Sequence, residues 1–320
     1  MKYLLFLATT LCLLFTGCIG RTTSSPPSHT TTSNTTNTTT TTTITEVTTT
    51  ATTIPTVSGT LGVVTTQPNN PDSFALTDEQ TTSLDELIAA YEGTLAVGYY
   101  DITSGYQYTY NGEHSFPAAS VIKAPFCRYI LGMAEQNELD LSAELTYTED
   151  MYVKGTGIIK DAEFGTVYTQ TELIQLCIRK SDNIAFKMLR QVYPATAFKQ
   201  YAKSIGITDI SGIKNISGSN INAVNAITYM KDIYSYITGD NQYGKTLETH
   251  MRSTINPMIR SKYPVVRKYG WMEGAYHDMA IIKAPRPYIL VILSDHDEGS
   301  DEDEEMFRVI SETVETLSGN

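Results

Sequence analysis

Between Arg21 and about Asp72 the chain is dominated by threonine, with serine, proline and asparagine, and it holds few charges and few large apolar side chains. Such a stretch cannot bury enough surface to offset the entropy lost on ordering. Folding is therefore confined to the C-terminal portion, about Phe74 to Asn320, a single domain of ordinary size with room for a substantial core. The tract itself reads as a tether, with a composition that also suits O-glycosylation. Extended at about 3 Å per residue, it would reach roughly 150 Å.

Ahead of the tether, Lys2 is followed by an apolar run from Tyr3 to Phe15. The run is too short to span a bilayer comfortably and reads as a signal peptide over residues 1–17. It ends in Phe15-Thr16-Gly17-Cys18. Small residues directly before a cysteine resemble the lipobox of bacterial lipoproteins, in which that sulfur is lipidated. Phe15 departs from it, since leucine is usual there, and an ordinary signal peptide cut nearby is the other reading. On the lipoprotein reading Cys18 is the lipid anchor. Residues 18–73 then hold the domain away from the extracellular face of a bacterial membrane, within or beyond the cell wall. No other stretch is long and apolar enough to span a membrane.

The net charge is −12, with 23 basic residues in 320. That argues against nucleic-acid binding, which requires a basic footprint. Asp295 to Glu305 is the densest acidic run and is expected to be a solvated loop leading into a helix. Beyond Cys12 and Cys18, only Cys127 and Cys177 remain. Export permits a disulfide between them, and two buried thiols are the equal alternative.

Apolar spacing predicts a helix over Asp78 to Tyr91, then strands over Thr94 to Tyr100 and Tyr106 to Tyr110 about the turn Thr103-Ser104-Gly105. Helical patterning continues in Val121 to Asn137, Thr171 to Val192, Ala195 to Ser204 and Ala223 to Ile237. Strands return in Val265 to Tyr269, Met279 to Ala284 and Tyr288 to Leu293, before a closing helix from Glu304 to Leu317. This is an α+β plan: an antiparallel sheet flanked by N- and C-terminal helices, plus an all-helical lobe, with a cleft between them as the natural site.

Three short motifs carry chemistry. Ser120-Val121-Ile122-Lys123 places a hydroxyl and an amine three residues apart on one helical face, at a helix N-terminus whose free N–H groups favour developing negative charge. The lysine can act as a base only if burial or a nearby cation lowers its pKa. Pro125 fits this helix poorly and suggests an irregular start. Ser181-Asp182-Asn183 follows a helical run, where Ser, Asp and Asn also make good caps and turns. Lys268-Tyr269-Gly270-Trp271 ends a strand, offering a cation and a glycine that would let a substrate backbone lie against that strand.

Taken together and in this order, the three resemble the class A β-lactamase and penicillin-binding serine hydrolases, whose set is S-x-x-K, S-D-N and K-T-G. The flanks Gly155-Thr156-Gly157-Ile158-Ile159, Tyr168-Thr169, His277-Asp278 and Arg286-Pro287-Tyr288 are similar too, and the likeness covers about Leu84 to Leu317. The resemblance implies that Ser120 attacks an acyl carbonyl, Lys123 takes its proton and Ser181 relays a proton to the leaving nitrogen. Asn183 and Lys268 would hold the substrate amide and carboxylate, and the N–H groups of Ser120 and Trp271 would form the oxyanion hole. Gly270, Tyr269 and His277 complete the expected substrate site.

Two departures matter. Tyr269 stands where the family usually has threonine. Between Asn183 and Asn220 there is no Glu and only Asp209, so the family's deacylating base has no counterpart and β-lactam turnover is expected to be slow. The implied substrates are β-lactams or peptidoglycan D-alanyl peptides. No cofactor is expected, and the domain is expected to act as a monomer. The alternative function is a lipoprotein that binds cell-wall peptide or β-lactam without turning it over. No G-x-S-x-G elbow occurs, which sets aside α/β-hydrolases, and His114, His250, His277 and His296 lack metal-ligand spacing. His277 reads equally well as a packed histidine or a cleft residue.

Overall fold

The computed structural model describes residues 74–297 and 299–320. The signal peptide, Cys18 and the tether lie outside the described residues. The chain begins with helix α1 (Asp78–Ala89), strands β1 (Leu95–Asp101) and β2 (Gln107–Tyr110), and the short strand β3 (Phe116–Pro117). Next come a 3₁₀ turn (Ala119–Ile122), α2 (Lys123–Glu135), the short strands β4 (Glu144–Thr146) and β5 (Val167–Thr169), α3 (Gln170–Arg179) and α4 (Asn183–Val192). Helix α5 (Ala195–Ser204), strand β6 (Asn220–Ile221), α6 (Ala223–Thr238) and α7 (Gln242–Met251) complete the helical lobe. The chain closes with β7 (Val265–Met272), β8 (Ala275–Ile282), β9 (Tyr288–Ser294) and α8 (Asp301–Leu317).

Five strands form one antiparallel sheet in the order β2-β1-β9-β8-β7, so the first and last strands of the domain, β1 and β9, pair within it. Strand β9 is apolar without alternation because both of its faces are covered. Tyr288, Leu290 and Ile292 share a core with Leu84 and Ile88 of α1 and Met306, Phe307 and Ile310 of α8. Ile289, Val291 and Leu293 share the other with the helical lobe, including Phe126, Ile174, Ile184 and Ile227. The expected α+β plan is the observed one.

Several boundaries differ from the sequence reading for local reasons. Thr171 to Val192 is two helices, because Ser181 takes a left-handed φ of +51° and Asp182 caps a new helix at once. The β7–β8 hairpin turns on Glu273-Gly274, with Gly274 at φ +68°, so both strands run further than their apolar cores suggested. Pro125 sits in the first turn of α2, where its missing N–H costs nothing; the irregularity falls before it, in the 3₁₀ turn. The acidic run is solvated and leads into a helix as expected, apart from one residue. Asp301 to Glu304 occupy the first turn of α8, where the helix dipole favours them, and Asp303 is buried against His296.

Candidate active site

The site is assembled where the 3₁₀ turn, the α3–α4 junction and edge strand β7 converge. Ala119, just ahead of Ser120, adopts a left-handed φ of +44°, a conformation that costs energy for any residue with a Cβ. The turn is clamped from two sides. Ala118 N–H donates to the Ser219 carbonyl at 2.8 Å. Behind it, a Cβ on Gly270 would stand 2.6 Å from the Ser120 nitrogen and 2.7 Å from that of Val121. Gly270 is therefore required because the turn that carries Ser120 packs against β7, a reason the sequence did not suggest.

The 3₁₀ turn runs straight into α2, so Ser120 and Lys123 lie one turn apart and line the same cleft, of about 400 Å³. Lys123 is fully buried. Its Nζ donates to the Ser181 carbonyl at 2.6 Å, to Asn183 Oδ1 at 2.8 Å and to Ser181 Oγ at 3.3 Å. Lys268, also buried, donates to the same Ser181 Oγ at 3.1 Å and to the Tyr269 carbonyl at 2.7 Å. Two ammonium groups thus converge on one hydroxyl, out of water. Burial pushes the Lys123 pKa down to about 8. Burial, helped by the Lys123 charge, pushes that of Lys268 down to about 7. A neutral amine beside Ser120 is thereby accessible near physiological pH.

Asp182, the middle residue of its motif, does not face the cleft. One carboxylate oxygen accepts from Ile184 and Ala185 N–H, both at 2.9 Å, capping α4. The other accepts from Ile158 at 2.7 Å and Ile159 at 2.9 Å. Asp182 thereby ties the Gly155-Thr156-Gly157 loop to the start of α4. A Cβ on Gly157 would fall 2.3 Å from its carboxyl carbon, so no other residue fits there. Thr156 completes the clasp through a 2.9 Å hydrogen bond from its hydroxyl to the Ser181 carbonyl. This fixes Ser181 and Asn183 on either side of Asp182, with Asn183 on the cleft wall.

Comparison with known proteins decides the family. A model of the β-lactamase enzyme family matches residues 79–316. The chain belongs to that family. β-Lactamase AER-1 of Aeromonas hydrophila is 26% identical over 138 residues, covering 42% of this chain and 44% of that protein. The chain thus spans under half the length of that curated relative. The structure of PBP-A matches with a TM-score of 0.68 at 18% identity, over 76% of this chain and 98% of the other. A β-lactamase from Sphaerobacter thermophilus matches at 0.67 and 16% identity, over 75% and 97%. At these identities the solved structures establish the fold. A mutant of PBP-A is described as an acyl-enzyme complex with penicillin G.

Within this β-lactamase-family domain, several expected site residues take other places. His277 is buried, with Nε2 at 2.9 Å from the Pro117 carbonyl and Nδ1 accepting from Ser294 N–H at 3.2 Å. Since Nδ1 accepts, the proton sits on Nε2, and burial pushes the pKa down to about 4. His277 is thus a packed histidine that ties β8 and β9 to the strand entering the Ser120 turn. Tyr269 does not line the cleft either. Its ring packs in the second core and takes the Lys268 ammonium over its face, 4.1 Å from the centroid. Lys268 stands behind Ser181 and is not part of the cleft wall. Trp271 does line the cleft. Cys127 and Cys177 are free, buried thiols.

Sequence reasoning missed Arg190, Phe186 and Ser217, all on the cleft wall. The signal for the first two was present: from Asn183 they fall at i+3 and i+7, on one face of α4. Ser217 has no such signal, because it belongs to an irregular loop brought in by tertiary contact.

Proposed function

We infer that the protein is a serine acyl-enzyme hydrolase acting on β-lactams or peptidoglycan D-alanyl peptides. The observation that carries this reading is the pair of buried lysines on Ser181 Oγ, one of them a single turn from Ser120 in a shared cleft. Ser120 Oγ adds to the substrate carbonyl carbon while its proton passes to neutral Lys123 Nζ. The N–H groups of Ser120 and Trp271 stabilise the resulting oxyanion. On collapse the C–N bond breaks, and the leaving nitrogen takes a proton through the Ser181 hydroxyl, replenished by a lysine. An ester on Ser120 remains. Asn183 holds the substrate amide.

Hydrolysis of that ester needs a base for water. Among the described residues no Asp or Glu lines the cleft, and Asp209 is exposed on a different cavity wall. Loss of such a base typically costs about 10²- to 10⁴-fold. The acyl-enzyme should therefore persist. Intact-protein mass spectrometry after mixing with penicillin G is expected to show a lasting one-to-one adduct on Ser120, absent in Ser120→Ala. Unmodified protein beside rapidly consumed penicillin would place a base elsewhere, such as Lys123 itself. Unmodified protein beside intact penicillin would favour a binding lipoprotein or a peptide-only enzyme.

Placement on the cell belongs to the same reading: a lipid anchor at Cys18, with the threonine-rich tract as tether, puts a monomeric domain among its cell-wall substrates. Cys18→Ala should move the protein from the membrane fraction to the soluble one, and retention with the membranes would defeat the anchor.

A further inference from the structure

The chain as a whole is acidic, at −12, yet the cleft is lined by two cations, Lys123 and Arg190, and among the described residues by no carboxylate. Lys123 is fully committed to Ser181 and Asn183. Arg190 is not committed in the same way. Its Nη1 donates to the Asn215 carbonyl at 3.2 Å and to Ser217 Oγ at 2.9 Å, and its guanidinium lies over the Phe186 ring, 4.8 Å from the centroid. These contacts hold the group in place but supply no counter-charge. Nε is buried without an acceptor, and among the described residues no carboxylate pairs with Arg190.

With Nη1 engaged and Nε enclosed, Nη2 is the donor left for a carboxylate in the cleft. A half-buried guanidinium without a counter-ion, fixed on a reaction cleft, is a preorganised receptor for an anion.

Its place along α4 tells which part of a substrate it meets. Ser181, the relay to the leaving nitrogen in the function inferred above, is buried at the head of the helix. Asn183 follows at the wall, and Arg190 stands two turns further, about 10 Å along the axis. The leaving group departs toward Ser181, so the acyl arm extends past Asn183 toward Arg190. We propose that Arg190 is a specificity-determining residue that receives a carboxylate on the acyl side of the substrate, so that this site selects acyl donors with an acidic arm. This proposal rests on the acyl-enzyme reading for its direction, and on the unpaired guanidinium for its chemistry.

The test is a matched pair of penicillins whose acyl arm is a four-carbon chain ending in a carboxylate or in the corresponding carboxamide. Second-order constants for acylation of Ser120 are measured by mass spectrometry. In the wild type the carboxylate is expected to react roughly ten-fold faster, the effect of one charge-assisted contact. The advantage should shrink with added salt, fall to about one in Arg190→Gln and invert in Arg190→Glu. Because each number is a ratio within one variant, partial loss of folded protein cancels. A wild-type ratio near one, or an unchanged ratio in Arg190→Gln, overturns the proposal.

Should Ser120 acylate with neither compound, the acyl-enzyme reading fails alone, and Arg190 is judged by calorimetric binding to Ser120→Ala protein. There the carboxylate should bind roughly ten-fold tighter than the carboxamide, with the difference lost in Ser120→Ala/Arg190→Gln. Equal affinities for the two compounds overturn the proposal by this route as well.

Discussion

Lys123→Met is expected to slow acylation of Ser120 by penicillin about a thousand-fold, equivalent to about 4 kcal/mol of transition-state stabilisation. The methionine keeps much of the buried volume but removes the only amine one turn from the nucleophile. The pH profile separates a base from a mere packing group. A lysine accepts a proton only when neutral, and burial holds Lys123 at about 8 and Lys268 at about 7. The two share Ser181 Oγ and titrate as a pair, so wild-type acylation should climb as pH rises from about 6 and level off above about 8. The variant should lose that limb along with the rate. A Lys123→Met protein that acylates at the wild-type rate, or keeps the same rising limb, would place the base elsewhere.

Asp182→Ala should be the most destabilising single change at the site, by about 3–5 kcal/mol in urea unfolding. The carboxylate accepts four backbone N–H groups, two at the head of α4 and two in the loop that overlies it. Alanine removes the cap and leaves the N–H groups of Ile158 and of buried Ile159 without their acceptor. Asp182→Asn should cost less, since one acceptor oxygen survives. Its amide group would nonetheless face two donors with another donor. Acylation should fall in both, because Ser181 and Asn183 are positioned through their neighbour. A loss below about 1 kcal/mol in Asp182→Ala would show that the clasp is held by Thr156 and packing instead.

The middle residue of the Ser181-Asp182-Asn183 motif thus has a role that residue type alone foretold only in outline. Asp is a good cap, and Asp182 is one. That its second oxygen holds a loop more than twenty residues earlier depends on long-range folding. The glycines of that loop show the same division. Gly155 and Gly157 are visible as turn formers, but the need for Gly157 comes from a carboxylate that would meet its Cβ.

Helix α7 was not legible. Its sequence Gln-Tyr-Gly-Lys-Thr-Leu-Glu-Thr-His-Met is short and interrupted by a glycine and two threonines, and only Leu247 and Met251 give it a clear apolar face. A helix this short is marginal alone, and packing against α2, α3 and α6 stabilises it.

What the sequence determined by itself is what depends on local period and short spacing. The threonine tract could not form a core, the apolar patterns named most helices and strands, and three motifs in order named a family. Tertiary structure alone decided what each motif residue does. It buried Lys268 behind Ser181, turned Gly270 toward the backbone of Ser120, and packed His277 and Tyr269 away from the cleft. It also brought Arg190 into the cleft beside a loop residue, Ser217. Burial, pKa and the absence of a counter-charge are sums over neighbours distant in the chain, and no local pattern encodes such a sum.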